Sequence, residues 1–326
     1  MELSRDVVLL ITHSGDYFTI DRVADAISKR GAKPFRLDTD KFPLMIELQA
    51  TLSKTGSYHK LKYGDNSVNS EQVKAVWMRR FWQPNLGKEL APQFQQACIR
   101  ESMATLEGFW DSLRTARWID DLQRIKAAEN KLLQLRIASE EGLTIPLTLV
   151  TNSAEEAREF FSVLQGKMVT KLLTPLSYSM QGSSFFMYTS VVKEEDLQDA
   201  EKLRYCPMVF QEQISKQLEL RSVFINGHFF VGALDASRYA ESTQDWRRGT
   251  NEVCIWKTHQ LPPEIAKKLT AFMARLGLSF GAIDLIVTPA GEYVFLEVNP
   301  TGEWGMLERD LDYPISEAIA DALLVN

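Results

Sequence analysis

Residues 281–305, GAIDLIVTPAGEYVFLEVNPTGEWG, leave few options for the chain around them. Two apolar runs flank Pro289-Ala290-Gly291, a turn signal, and together they read as a β-hairpin. Three polar residues interrupt the runs: Asp284, Glu297 and Asn299. Side chains two apart on a strand share a face, so Glu297 and Asn299 point the same way, and an antiparallel partner strand brings Asp284 to them. A carboxylate set in VFLEVNP needs a partner, because an isolated charge among apolar groups is costly. Two carboxylates and an amide oxygen on stiff strands make a hard oxygen site. Such a site suits Mg²⁺, which takes one or two carboxylates and leaves the rest of its octahedron to phosphates and water. The competing reading makes each polar group a solvent-facing strand residue.

The rest of the chain sets the context. Its 326 residues suffice for two or three domains with real cores. A formal net charge of −6 argues against nucleic acid as the main partner. Cys98, Cys206 and Cys254 are scattered and form no CxxC pair, which disfavours a disulfide framework or a zinc site. The start, MELSRDVVLL, is too acidic and its apolar run too short for a signal peptide. No run approaches the roughly 18 apolar residues of a membrane span. The expected location is the cytoplasm.

The N-terminal part alternates strand and helix. Val7 to Thr12 reads as a buried strand, and Ile20, Val23, Ala24 and Ile27 have helical spacing up to a stop at Gly31. Lys33 to Leu37 is the next strand, so a small α/β domain is expected. Strands are expected near 46–52, 58–63 and 73–78, the last followed by Arg79 and Arg80. Helical patterns cover 92–115 and 121–141, with Asp120 or Asp121 as a cap and Gly142 as a stop. Residue 120 is the expected boundary between domains 1–120 and 121–326. Ser153-x-x-Glu156 reads as a capping box. Further strands are expected at 169–172, 184–191, 208–213, 218–225 and 229–235. Asn226-Gly227 gives a hairpin turn between the last two, and a helix follows near 263–276.

No GxxxxGK[ST], HExxH or GxSxG motif is present, and the four histidines show no metal spacing. What remains is an ordered series of cations and acids: Lys131, Lys171, Gln211-Glu212, Glu219, Arg221, Arg238, Asp284, Glu297 and Asn299. This order resembles the ATP-grasp superfamily over roughly residues 120–326, with an α/β pre-ATP-grasp domain ahead of it. The segments THSGDYFTIDRV, PFRLDTDKFP, VWMRR, KLLTPLSYSM, GALDASRY and FLEVNPTGEWGMLE are similar to those of the microviridin-type peptide ligases, the graspetide macrocyclases.

The resemblance implies an α/β ATP-grasp fold that uses ATP and Mg²⁺. It implies that Lys131 and Lys171 contact ATP. Gln211, Glu212 and Ile214 belong to the adenine hinge, and Glu219 binds the ribose. Arg221 and Arg238 act on the transferring phosphate, and Asp284, Glu297 and Asn299 hold Mg²⁺. The implied substrate is a precursor peptide, leader plus core. Its Asp or Glu side chains become acyl phosphates, which Ser or Thr hydroxyls attack to give ω-esters. The loop 174–184 is a plausible lid. Two alternatives stay open: an ω-amide-forming ligase of the same family, and an intermolecular carboxylate–amine ligase. A nucleotide-gated binding module is disfavoured by the complete set of cations and acids. Many such ligases are expected to pair with themselves, but no stretch marks a homodimer interface.

Several residues carry two readings. Lys131 fits an ordinary exposed helix lysine, and Glu219 with Arg221 fits a surface pair. Arg79 and Arg80 fit either a substrate clamp or a structural pair. Glu194, Glu195 and Asp196 fit a solvated hairpin tip or helix start, or a receptor for a leader helix with basic and apolar positions. Trp304 fits the core or the wall of a substrate channel.

Overall fold

The computed structural model describes residues 5–171, 189–236 and 255–325. The chain divides into two compact units. The first comprises Met1–Ile125, Leu278–Phe280 and Glu303–Asn326; the second comprises Lys126–Gly277 and Gly281–Gly302.

The first unit opens with β1 (Val7–Thr12), α1 (Thr19–Lys29) and β2 (Lys33–Asp38). β1 is buried along its whole length, so it reads as a continuous apolar run. α1 buries Ile20, Val23 and Ile27 of the predicted stripe, with Ala26 buried in place of the half-buried Ala24, and Gly31 follows it in a left-handed conformation. β3 (Ile46–Ser53), β4 (Gly56–Tyr63) and β5 (Asn66–Asn69) form a separate antiparallel sheet. β6 (Val73–Met78), α2 (Pro92–Ser112) and β7 (Arg117–Ile119) follow. The main sheet has the order β2-β1-β6-β7, all parallel. Leu9, Ile11, Leu37, Val76, Leu106, Phe109 and Ile125 lie in its core.

The expected long helix over 121–141 is two helices, α3 (Leu122–Ala128) and α4 (Lys131–Glu140). Asn130 breaks the pattern by capping α4, its side chain accepting from the Leu132 and Leu133 amides at 3.1 Å. Apolar periodicity runs through such a break, which hides it from the sequence. Asp121 caps α3 by accepting from the Arg124 amide, whereas Asp120 is buried and accepts from the Ser279 and Phe280 amides.

The second unit continues with β8 (Thr148–Thr151), α5 (Ala154–Val163), β9 (Met168–Lys171), β10 (Ser190–Val191) and β11 (Met208–Glu212). These strands form an antiparallel sheet ordered β10-β9-β11-β8. Ser153 caps α5 by accepting from the Glu156 amide, while its own amide donates to Thr151 Oγ1 at 2.9 Å and not to Glu156, so half of the expected capping box forms. β12 (Leu218–Ile225), β13 (His228–Asp235), β14 (Lys257–Thr258), α6 (Pro263–Leu276), β15 (Phe280–Val287) and β16 (Tyr293–Asn299) come next. The second sheet has the order β14-β13-β12-β15-β16. Asn226 and Gly227 both take positive φ in the β12–β13 turn, as the Asn-Gly signal requires. The chain ends with α7 (Gly305–Leu311) and α8 (Ile315–Leu324) in the first unit. No helix among the described residues is long and apolar enough to cross a membrane.

Asp120 gives this fold a pH dependence. Burial pushes its pKa up to about 6, against hydrogen bonds from Ser279 and Phe280 that favour the charge. A raised folded-state pKa means the folded chain holds this proton more tightly than the unfolded chain. The contribution is complete below the unfolded value and is lost as pH rises through about 6. The difference between wild type and Asp120→Asn, followed by urea unfolding, is therefore expected to drift by about 2 kcal/mol between pH 4 and pH 7. A pH-independent difference would rule this out.

Candidate active site

The β15–β16 hairpin forms as its sequence pattern predicts. Asp284 stands directly opposite Glu297 in the antiparallel register, and Ala282 opposite Asn299. A register shift between Asp284 and Leu285 marks a bulge beside the polar cluster, a device that re-aims strand side chains. The Asn299 amide nitrogen donates to Asp284 at 3.2 Å and to Glu297 at 3.3 Å, so one side chain touches both carboxylates.

Each carboxylate has a cation. Lys131, the first residue of α4, donates to Glu297. Arg221 on β12 places one guanidinium nitrogen 2.8 and 2.9 Å from the two Asp284 oxygens. Burial alone would raise the Glu297 pKa. Lys131, Lys171 and the Asn299 amide overcome it and hold the group well below the usual carboxylate range. Lys171 closes β9 in the other sheet of this unit. Burial is the main cause that lowers its pKa, Lys131 adds to the effect, and Glu297 and Asp284 oppose it. Among the described residues the Lys171 ammonium has no hydrogen-bond or ion-pair partner.

The oxygen set fits Mg²⁺. Glu297 is held in its charged form and Asp284 is paired with Arg221, they stand on paired strands, and the Asn299 amide already lies against both. Turning that amide over exchanges its NH₂ for its oxygen, a choice X-ray maps themselves rarely fix. Gly302 keeps this corner tight. It closes the turn after Asn299, its amide donating to the Asn299 carbonyl at 3.0 Å. A Cβ there would stand 2.4 Å from Ala282 Cβ and 3.0 Å from Arg221 Nη2 and Asn299 Cβ.

The connection from β11 to β12 joins the two sheets of this unit. The Gln211 side chain is buried and donates to Thr148 Oγ1 at 2.9 Å, so it is an internal tie. The Glu212 amide donates to the Leu147 carbonyl at 2.9 Å. Beyond it, Ile214 makes no hydrogen bond among the described residues, which leaves its backbone groups available to a flat heterocycle. Glu219 takes the Lys216 ammonium, a pairing the sequence reading missed although the spacing is three residues.

The remaining candidates separate. Arg79 is buried in the first unit, where it donates to Glu303 at 2.5 Å and lies 3.8 Å from Asp16. This corrects its reading as a substrate clamp, since its guanidinium is occupied inside the fold. Arg80 is a third exposed, 3.6 Å from Glu303. Glu194, Glu195 and Asp196 do not form a hairpin tip. They open a 3₁₀ stretch, Glu194–Tyr205, in which Asp196 accepts from the Lys193 amide at 2.8 Å. Glu194 and Glu195 are exposed. Trp304 is fully buried, which places it in the core. Arg238 and the loop 174–184 lie outside the described residues. Gln134 is the site residue that sequence reasoning did not find. Its amide bonds both backbone groups of Val298, and nothing in a helical pattern marks a glutamine for that task.

Comparisons with known proteins place the fold in a family. A family model described as the MvdD pre-ATP grasp domain matches residues 7–126. Macrocyclase MdnB from Microcystis aeruginosa MRC is 60% identical, with a TM-score of 0.85 over 98% of this chain and 100% of that chain. Macrocyclase MdnC from the same organism, solved with precursor peptide MdnA, is 34% identical, with a TM-score of 0.88 over 98% of this chain and 100% of that chain. A RiPP-associated ATP-grasp ligase from Chryseobacterium gregarium was solved with ADP and a leader and core peptide. It is 32% identical, with a TM-score of 0.89 over 98% of this chain and 96% of that one.

Glu297→Gln keeps the shape of the cluster and removes a charge. Its Mg²⁺-dependent ATP consumption is expected to fall by about 100-fold or more, while circular dichroism stays native. Full activity in this variant would sink the metal assignment.

Proposed function

We propose that this chain, which belongs to the ATP-grasp peptide ligases of microviridin-type (graspetide) biosynthesis, closes side-chain rings in a ribosomally made precursor peptide. Its fold is ATP-grasp, with a pre-ATP-grasp domain over residues 7–126. The observation that carries the reading is the cluster in the second unit. Three cations, Lys131, Lys171 and Arg221, stand around two carboxylates, Glu297 and Asp284. The excess positive charge suits a polyphosphate, and the oxygen donors suit the cation that accompanies it.

A free carboxylate does not react with a hydroxyl or amine at neutral pH, because its leaving group is too poor. In the proposed reaction an oxygen of a precursor Asp or Glu attacks the γ-phosphorus of ATP and ADP departs. The product is an acyl phosphate. A nucleophile elsewhere in the same peptide attacks its carbonyl carbon, loses its proton, and inorganic phosphate leaves. Lys171 and Arg221 offset the charge gathered on the phosphates. Asp284, Glu297 and Asn299 would hold Mg²⁺, which when bound neutralises phosphate charge and orients the phosphates. The Ile214 backbone would receive the adenine edge, and Glu219 the ribose hydroxyls.

The new bond has two forms: an ω-ester from a Ser or Thr hydroxyl, or an ω-amide from a Lys amine. The leader would dock partly through Glu194 and Glu195, whose exposed charge suits a basic helix.

Incubating a precursor with the protein, ATP and Mg²⁺ is expected to give mass losses of one or more waters, absent without ATP. Hydroxylamine then opens esters and spares amides. A mass gain on supplying free amino acids would instead indicate an intermolecular ligase. Reversing the charges of Glu194, Glu195 and Asp196 is expected to weaken precursor binding about tenfold while leaving ATP affinity unchanged. Equal loss of both would reject the docking role.

A further inference from the structure

β16 is the outer strand of its sheet, so the backbone groups on its far side have no strand to pair with. Two residues cover that edge. The Phe295 amide donates to the Thr144 carbonyl at 2.8 Å. At Val298 the cover is a side chain. The Val298 amide donates to Gln134 Oε1 at 2.9 Å, and Gln134 Nε2 donates to the Val298 carbonyl at 2.9 Å. A primary amide offers the same donor and acceptor as a peptide unit, so Gln134 stands in for one residue of an absent strand. Its second N–H goes to the Ala128 carbonyl at 2.6 Å, at the end of α3. Gln134 is buried, and its amide is fully used.

The place of this contact gives it meaning. Val298 lies between Glu297 and Asn299, so those two side chains hang from the residues on either side of the clamped peptide groups. Lys131 precedes Gln134 by three positions on α4, on the same helix face, and bonds Glu297 itself. One helix face therefore holds a carboxylate and the backbone beside it.

We infer that Gln134 is a positioning residue that fixes the metal-binding end of β16, so that Glu297 and Asn299 present their oxygens together. The inference rests on the Mg²⁺ assignment proposed above for Asp284, Glu297 and Asn299. Without the Gln134 amide, the Val298 groups lose their partners and the strand end is free to twist. The two side chains then diverge, while the cations that meet the phosphates keep their places.

The test compares Gln134→Met with Leu269→Ala. Methionine keeps the length of the side chain without its hydrogen bonds. Leu269 is a buried residue of α6, in the same unit and without any part in the cluster. ADP affinity is measured by calorimetry with and without Mg²⁺, beside the unfolding midpoint. In Q134M the gain in affinity that Mg²⁺ confers is expected to shrink about tenfold or more, the range for residues that orient metal ligands. Affinity for ADP alone stays unchanged. L269A lowers the midpoint and keeps the wild-type gain.

Gln134→Glu adds a second variant. An ionised carboxylate there faces two carbonyls and cannot donate to either, so the Mg²⁺ gain is expected to shrink at about pH 8 as it does in Q134M. An unchanged gain in Q134M or in Q134E, or a loss of equal size in L269A, overturns the inference. Absence of any Mg²⁺ gain in the wild-type protein overturns the metal assignment itself, a separate result.

Discussion

The ionised Glu297 between Lys131 and Lys171 is the interaction on which the rest of the site depends. A carboxylate in an apolar strand is ordinarily driven toward its neutral form, because burial penalises charge. Here the two lysines reverse that outcome. One lysine would give a neutral pair. The second adds a basic group, whose pKa is lowered chiefly by burial, with Lys131 adding to the effect. Arg221 and Asp284 face one another nearby. Among the described residues the cluster thus gathers three basic side chains about two carboxylates, which suits the phosphate binding proposed above.

Bringing these groups together is costly in chain entropy. Lys131 and Glu297 are 166 residues apart, and Arg221 and Asp284 are 63 apart. Contacts of that range form only after large loops have closed. The fold meets the cost with local devices that need no long-range help. Asn130 starts α4 at the residue that must reach Glu297. The β15–β16 turn sets Asp284 against Glu297 by register alone. Gly302 lets the following backbone pass where a Cβ would strike Ala282.

These devices also explain what could be read in the sequence. Period-two alternation in an apolar hairpin made Asp284, Glu297 and Asn299 visible, because three polar residues within two apolar paired strands are a strong departure from pattern. Asn226-Gly227 and Ser153-x-x-Glu156 were legible for the same reason, that local backbone chemistry decides them. The break between α3 and α4 was not, since its apolar spacing continues through Glu129 and Asn130. Arg79 and Arg80 could not be told apart, because which one turns inward depends on Glu303, more than two hundred residues away. Gln134 was beyond reach for a similar reason. Its role belongs to the strand it meets, and a helical glutamine carries no mark of that meeting.

The same logic bears on ester against amide formation. In the proposed reaction the metal cluster activates a carboxylate and does not touch the attacking group. An intramolecular nucleophile held near an acyl phosphate has an effective concentration far above that of any free competitor, with measured effective molarities of about 10⁵ M and more. The choice of hydroxyl or amine then follows from which precursor side chain is held at the acyl carbon. It does not follow from the residues that bind phosphate and Mg²⁺. A motif such as FLEVNPTGEWG can therefore serve both bond types unchanged, and the determinant lies with the residues that seat the peptide.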